Sequence, residues 1–409
     1  MRICFISRRF FPAISGMSVY ADNLVRRLAA LGHDVTMISQ FRGDAFGTQV
    51  YGGGPPPSVP GVRVVGREQT GEQADGNFER DIADLVTTIV HEHRRAPFDV
   101  LHAQYGYPPG WAALLAGREL GLPVVVSIQG GDGHWVGSCC RTHELAMQRV
   151  LGHANVVLIG GTSFASEVSE RLGTPRERFT IVPGAVDTER FYPNEARELG
   201  SLRAPPVLLY HGRMDRRKGA LDFAEALRRL APQHAFRALY SGIGPDFEEA
   251  RQFCTDHALL DRVHFAGYVA YDDVPAVYRE ADVFVSPTYA EGFSNTVLEA
   301  MASGLPIVSC RAVGVVDCLR DDENALLVEP GAQGALSGAL ERILGDGQLR
   351  ARLAATALAE CRRTYSWHVV AERIVAAYER ALREPAAAAG WPAELPVAPC
   401  RFRATPHLL

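Results

Sequence analysis

Two carboxylates eight positions apart, Glu291 and Glu299, bracket the run Gly292-Phe293-Ser294-Asn295-Thr296 in a segment that closes at Gly304. This run lies between an apolar strand-like stretch and a short helical one, so the backbone N–H groups of Gly292 to Thr296 can converge on an anion. Each carboxylate also has a plainer reading. Thr296-x-x-Glu299 fits a capping box with Glu299 as the reciprocal cap, and Glu291 fits a solvated loop acid. Upstream, His211-Gly212-Arg213-Met214-Asp215-Arg216-Arg217-Lys218-Gly219 places basic residues just before a helical segment, Leu221 to Leu230. Cations there oppose the helix macrodipole by ~0.3–1 kcal/mol each, and a bound phosphate reverses that sign. Arg213 and Lys218 therefore read either as phosphate ligands or as solvated charges. Three weaker loops also end strands. Arg8 to Ser18 contains Gly16 but no GxGxxG, and alone reads as an ordinary strand–helix turn. Ser127-Ile128-Gln129-Gly130-Gly131-Asp132 and Ser241-Gly242-Ile243-Gly244-Pro245 fit either substrate loops or tight turns. The acid pairs fit caps and turns better than metal ligands: Asp273 a cap for a helix from Val274, and Asp321-Asp322 a polar turn. Cys139 and Cys140 are adjacent, and no cysteine pair has CxxC spacing. The thiols read as buried or free and reduced, and no metal ligand set is visible.

Strand-like and helix-like segments position these loops by alternating almost throughout. Ile3 to Ile6 leads through a loop to helical spacing at Tyr20, Leu24, Leu28 and Leu31, ended by Gly32, and Val35 to Ile38 starts the next strand. Continuous apolar runs recur at Val100 to Ala103, Val124 to Val126, Val156 to Ile159, Thr180 to Val182, Val207 to Tyr210, Phe236 to Tyr240, Val283 to Val285 and Pro306 to Val308. Such strands alternating with helices predict parallel sheets covered on both faces, an α/β chain of two Rossmann-like doubly wound domains facing across a cleft. The predicted boundaries are 1–190, a linker at 191–205, 206–363, a C-terminal helix at 364–384 and a mobile Ala/Pro-rich tail at 385–409. Ligands of doubly wound domains sit at the carboxyl ends of the strands, where every loop above falls.

The 409 residues exceed one typical domain, and 47% hydrophobic with 22% charged is ordinary for a chain with a real core. The 42 basic against 47 acidic residues give −5, without the basic excess of a nucleic-acid binder, and Arg8-Arg9 and the other arginine pairs read as solvated faces. No run approaches the ~18–20 apolar residues of a membrane span. The first apolar run is too short for a signal peptide. A cytoplasmic protein is expected.

The chain carries Phe11-Pro12 with Gly16 and Tyr20, Gly32-His33-Asp34-Val35-Thr36, Gly212-Arg213-x4-Lys218-Gly219, and Glu291-Gly292-Phe293-x5-Glu299-Ala300-Met301-Ala302, in that order. Over roughly residues 1 to 383 it resembles the retaining, nucleotide-sugar-dependent glycosyltransferases of the GT-B fold, family 4 (group 1 glycosyl transferases). The resemblance implies transfer of a hexosyl or N-acetylhexosaminyl group from a UDP- or GDP-linked sugar to an acceptor hydroxyl, with retention and without a metal or other cofactor. The acceptor would be a small molecule, a glycan or a lipid-linked sugar, reached in the cytoplasm or at the inner membrane face; nucleic acid is not implied, and self-association stays open. Gly16 would offer its amide to the donor diphosphate, and Arg213 and Lys218 would neutralise it. Glu291 would bind donor-sugar hydroxyls and Glu299 the ribose. Phe293, Ser294 and Asn295 would supply amides beside Gly292 and Thr296. Gly212, Gly242, Tyr268 and Val269 would lie by the nucleotide, and His102, Gln129 and Asp132 on the acceptor or sugar side. The family's His-Gly-x-Asp reads Gln129-Gly130-Gly131-Asp132 here, and its Gly-Gly before the first helix reads Ser15-Gly16. A non-catalytic nucleotide-sugar sensor, a GT-B-fold epimerase and a phosphorylase share the architecture. The intact Arg213, Lys218, Glu291 and Glu299 disfavour a degenerate site, and a phosphorylase would need a lysine for pyridoxal phosphate, whereas Lys218 already has the phosphate role.

Overall fold

The computed structural model describes residues 1–45, 48, 52–384 and 390–405. Two parallel sheets organise it. The first contains β1 (Arg2–Ser7), β2 (Asp34–Phe41), β3 (Val62–Glu68), β4 (Val100–Gln104), β5 (Val124–Ile128), β6 (Val156–Ile159) and β7 (Phe179–Ile181), in the order β3-β2-β1-β4-β5-β6-β7. The second contains β8 (Val207–His211), β9 (Arg237–Ser241), β10 (Val263–Gly267), β11 (Val283–Ser286), β12 (Ile307–Cys310) and β13 (Leu326–Val328), in the order β10-β9-β8-β11-β12-β13. Every pairing between these strands is parallel. The order reverses between β1 and β4 in the first sheet and between β8 and β11 in the second. These are the switch points at which doubly wound sheets open a crevice for ligand.

Sequence and burial agree locally. Val124 to Ile128 is buried at every position, as a central strand covered on both faces must be. The helix Gly16–Ala30 buries Met17, Ala21, Leu24, Val25 and Leu28 on one stripe, and its N-cap Ser15 accepts a hydrogen bond from the Ser18 amide. In the second sheet, apolar layers built on Phe223, Leu227 and Tyr240 on one face and on Phe284, Leu298 and Met301 on the other enclose the strands. No helix among the described residues is long and apolar enough to cross a membrane.

The chain divides into two compact units at places the sequence did not mark. Met1–Pro183 joins everything from Val370 onward, and Gly184–Val369 forms the other unit. The expected linker at 191–205 is part of the second unit. Phe191 is buried in its core, and Arg197 and Arg203 reach Asp282 Oδ1 at 2.5 and 2.8 Å. Asp282 is fully buried and also accepts the Val207 amide at 2.7 Å, so the polar residues that resembled a linker satisfy a buried carboxylate. The chain after the C-terminal helix Trp367–Arg383 also departs from a tail. Trp391 and Phe402 are buried, Trp391 lies 5.2 Å from the Trp111 ring, and Arg403 binds Glu79 at 2.9 Å. Arg8, read as a solvated charge, is fully buried and paired with Glu72 at 2.7 Å.

Candidate functional site

In the second unit, the loop after β8 and the loop after β11 leave neighbouring strands at the switch point. Lys218 comes from the first and Glu291 from the second, and Lys218 Nζ stands 2.6 Å from Glu291 Oε1. The loops are strapped together by backbone as well. The Tyr289 amide donates to Arg217 O at 2.8 Å, and Thr288 Oγ1 donates to the same oxygen at 3.1 Å. Gly219 makes that approach possible: at φ 70° it sits where a Cβ would lie 2.1 Å from Pro287 O. Arg213 is more exposed, with its guanidinium Nε 3.2 Å from the buried Asp215 carboxylate, which also holds Arg217 at 3.1 Å. Two arginines sharing one carboxylate leave the loop with net positive charge. Gly242, at φ 145°, lies so close to the loop after β8 that a Cβ would come within 1.9 Å of Gly212 O. Gly212 in turn donates its amide to Ser241 O at 2.9 Å.

The helix Asn295–Ala302 points its N-terminus into this corner. Ser294 is its N-cap but makes no side-chain capping bond, and the first turn contains no acidic residue. The amides of Asn295 and Thr296 and the positive helix end are therefore available to an anion. Gly292 and Ser294 are buried, Asn295, Thr296 and Phe293 half-buried, and the Phe293 ring packs on Tyr365 at 5.7 Å. Tyr268 and Val269 follow β10, Tyr268 about half exposed and Val269 against the apolar layer.

Glu299 is not a capping-box residue. Because the helix starts at Asn295, the position reciprocal to the Ser294 cap is Val297, and Glu299 lies beyond the first turn. Its carboxylate accepts the Tyr278 hydroxyl at 2.8 Å. Burial pushes its pKa up to about 7, against the lowering effects of that hydrogen bond and of Arg190. Tyr278, Thr288 and Asp215 are the supporting residues that the sequence left unmarked. Tyr278 and Thr288 act on residues distant in the chain and carry no local motif, whereas Asp215 lies within the basic run itself and pairs with Arg213 and Arg217 beside it.

In the first unit, Gly16 opens its helix at an exposed N-terminus with no acidic residue in the first turn. On the acceptor side the three expected residues differ in burial. Asp132 is fully buried and accepts the Gln129 and Gly133 amides at 2.8 and 3.0 Å and that of Gly106 more closely. Burial lifts its pKa to about 7 in spite of these donors. His102 is equally enclosed: Nδ1 lies 2.6 Å from Tyr378 Oη and Nε2 2.7 Å from Ser127 Oγ, and burial lowers its pKa to about 3. Both residues brace the loop from beneath, with their polar atoms committed to protein. Gln129 alone of the three is half-exposed, its Oε1 accepting from Gln104 Nε2 at 3.3 Å. His134, one of two histidines near enough in sequence to replace the family's imidazole, is paired with Glu167 at 2.7 Å. The other, His143, faces cysteines.

Among the described residues, the group with metal-ligand spacing lies in the first unit and contains none of the residues assigned above to donor or acceptor; it is Cys139, Cys140, His143 and Cys400. The absence of a ligand set in the sequence is thereby corrected, because 257 positions separate His143 from Cys400 and no linear spacing rule spans them.

Two Rossmann-like parallel-sheet units, each with its candidate loops at the carboxyl ends of the strands, are the architecture of the GT-B fold. Residues 15–185 match the glycosyl transferase 4-like domain and residues 205–346 match the glycosyl transferases group 1 family. The chain belongs to the group 1, family 4 glycosyltransferases. It is 29% identical over 411 residues to the D-inositol 3-phosphate glycosyltransferase of Acidothermus cellulolyticus, covering 91% of this chain and 87% of that one. Its fold matches the sucrose-phosphate synthase of Thermosynechococcus elongatus with a TM-score of 0.77 at 24% identity, covering 93% and 98% of the two chains. It also matches Anabaena HepE, solved in complex with UDP, with a TM-score of 0.74 at 18% identity over 93% and 100%.

Proposed function

We propose that the chain transfers a hexosyl or N-acetylhexosaminyl group from a UDP- or GDP-linked sugar to an acceptor hydroxyl, with retention and without a divalent metal at the reacting centre. The Lys218–Glu291 pair at the second sheet's switch point carries this reading, because it sets a cation and a sugar-binding carboxylate side by side. The uncapped amides of Asn295 and Thr296 and the exposed guanidinium of Arg213 complete a receptor for the donor diphosphate. As the bond between the anomeric carbon and the phosphate oxygen breaks, charge grows on that phosphate. Lys218 and Arg213 stabilise it from fixed positions, which is worth more at the transition state than at the ground state. Lys218 has three N–H donors, so it can hold Glu291 and a phosphate oxygen together. The acceptor oxygen bonds to the anomeric carbon on the face the leaving group vacates, and its proton passes to the departing phosphate. Glu291 positions the sugar through its hydroxyls, and Glu299 binds the ribose diol. In the first unit, Gln129 positions hydroxyl groups by donating and accepting, and Gly16 offers its amide to an anion.

A thermal-shift panel of UDP-, GDP- and ADP-sugars tests the donor class. The right donor raises the melting temperature by mass action. No shift with any of them at saturating concentration would set aside nucleotide-sugar binding.

A further inference from the structure

The first unit holds a second cluster of chemistry-bearing groups that glycosyl transfer does not use. Cys139 and Cys140 lie just before the helix Arg141–His153, His143 on its first turn, and Cys400 in the terminal segment packed against that helix. Their four ligand atoms all lie within 4.8 Å of one another. His143 Nδ1 is 3.0 Å from Cys139 Sγ and 3.9 Å from Cys400 Sγ. A tetrahedral zinc with Zn–S ≈ 2.3 Å and Zn–N ≈ 2.0 Å needs ligand separations of roughly 3.5–3.8 Å. The observed spread closes onto such a tetrahedron with shifts of about an ångström.

We propose that Cys139, Cys140, His143 and Cys400 form a structural zinc site that staples the C-terminal segment to the first domain.

The surroundings fit that role independently of the spacing. His143 is fully buried, with its ring tilted against Tyr107 at 4.4 Å between centroids and flanked by Phe78 and Phe402. Its Nε2 has no hydrogen-bond partner among the described residues, so the polar contacts of this imidazole are to sulfur. The turn that carries Cys400 is fixed by backbone, the Arg403 and Ala404 amides donating to Cys400 O at 3.1 and 3.3 Å. Cys140 is the N-cap of a 13-residue helix, whose positive end favours a thiolate. Three sulfurs and one imidazole form a closed four-coordinate set, the composition of structural zinc centres rather than of catalytic ones that keep a position open. Binding is proton exchange without redox: one Zn²⁺ enters, three thiol protons leave, and neutral His143 donates a lone pair.

The proposed staple also lies beside other contacts that hold residues 390–405 against the helix Arg141–His153. Thr142 Oγ1 donates to Pro396 O at 2.5 Å and accepts the Ala398 amide at 2.9 Å, one position away from His143. Together with the buried Trp391 and Phe402 and the Arg403–Glu79 pair they hold this segment, and a bound zinc would add a further link to the same helix.

Full-length protein purified in reducing buffer without chelator should contain one zinc per chain by elemental analysis. After chelation, added Zn²⁺ should restore that stoichiometry, and added Co²⁺ should give tetrahedral d–d bands with thiolate charge-transfer absorption. Cys400→Ser and His143→Ala should each lose the zinc and make the chain beyond the C-terminal helix sensitive to limited proteolysis. Cys254→Ser, which alters a buried thiol in the second unit, should keep it. Cys400 lies outside both sheets, so circular dichroism of Cys400→Ser checks that folding survives. Protein that neither contains nor takes up zinc, a disulfide between any two of these cysteines in the purified chain, or full zinc retention in folded Cys400→Ser would each overturn the proposal.

Discussion

Replacing Glu299 by Gln separates the ribose-binding role from a purely structural one, and its magnitude follows from the burial of that carboxyl. Folding raises its pKa from 4.5 to about 7. At 1.36 kcal/mol per pH unit, keeping the group ionised costs the folded state about 3 kcal/mol above pH ~7. The sign is set by proton uptake. Between the unfolded and folded values the native state holds the extra proton, so this group's contribution to stability falls as pH rises through that window and is flat above it. The side-chain amide in Glu299→Gln never ionises, so the variant lacks this loss. Its melting temperature relative to wild type should climb between about pH 5 and about pH 8, by about 2–4 °C for each kcal/mol. Nucleotide affinity should move the opposite way. A charge-assisted hydrogen bond to the ribose is about twice as strong as a neutral one, a difference of about 1 kcal/mol or fivefold in Kd. Calorimetric titration with the nucleoside diphosphate should give similar Kd values for the two proteins near pH ~6, where Glu299 is protonated. Wild type should then bind progressively tighter than the variant as pH passes about 7. Phosphate titration of the ligand is common to both and cancels in the ratio. A Kd ratio near one from about pH 6 to about pH 9, with parallel melting profiles, would refute both the ribose assignment and the buried-carboxyl argument.

Lys218→Ala and Arg213→Ala should each lower kcat/KM by orders of magnitude with an unchanged melting curve, since each removes a cation facing charge that develops on the leaving phosphate; normal turnover in either would return that residue to the solvent-facing reading. Added Mg²⁺ or Mn²⁺ should leave initial rates unchanged, and chelator assayed well below the melting temperature should lower thermal stability through the cysteine cluster while sparing turnover; Cys400→Ser supplies the same loss without chelator, and a rate lost in chelator but kept in Cys400→Ser would show a divalent ion at the reacting centre. Arg8→Met strips the buried Glu72 of its closest cation and leaves it paired with Arg42 at 3.0 Å, at a cost of about 3–5 kcal/mol near neutrality. Burial raises the Glu72 pKa, but Arg8, Arg9 and Arg42 hold it below its usual value, so the pair's stabilisation is present above the unfolded value of ~4.3 and fades as pH falls below it; denaturant melts showing a pH-independent difference between the two proteins would contradict this.

What the sequence disclosed and what it withheld divide along contact range. A central parallel strand is buried on both faces, so Val124 to Ile128 announces itself as an unbroken apolar run, and the loop after it must carry whatever touches ligand. Lys218 and Glu291 fall in two such loops, where the residues alone left solvent-facing readings open and the family resemblance implied donor contacts, and they stand 2.6 Å apart. Errors arose where a local pattern had two solutions and a distant residue chose between them. Thr296-x-x-Glu299 is an acceptable capping box until Tyr278, on another helix, draws the carboxylate to itself and the helix begins at Asn295, ahead of the supposed cap. Asp132 and His102 have the residue types of substrate ligands, but three backbone amides claim the first and Tyr378 with Ser127 the second. Arg8 looks like half of a solvated pair because Glu72, which neutralises it, lies 64 positions away. The cysteine cluster is the extreme case. Spacing rules for metal sites detect ligands contributed by one hairpin or one helix turn, whereas here Cys400 arrives on a segment whose composition suggests no structure at all. Its convergence with Cys139, Cys140 and His143 is a tertiary fact, so a closed ligand set in a chain without CxxC marks the segment's docking on the first domain as something the fold specifies.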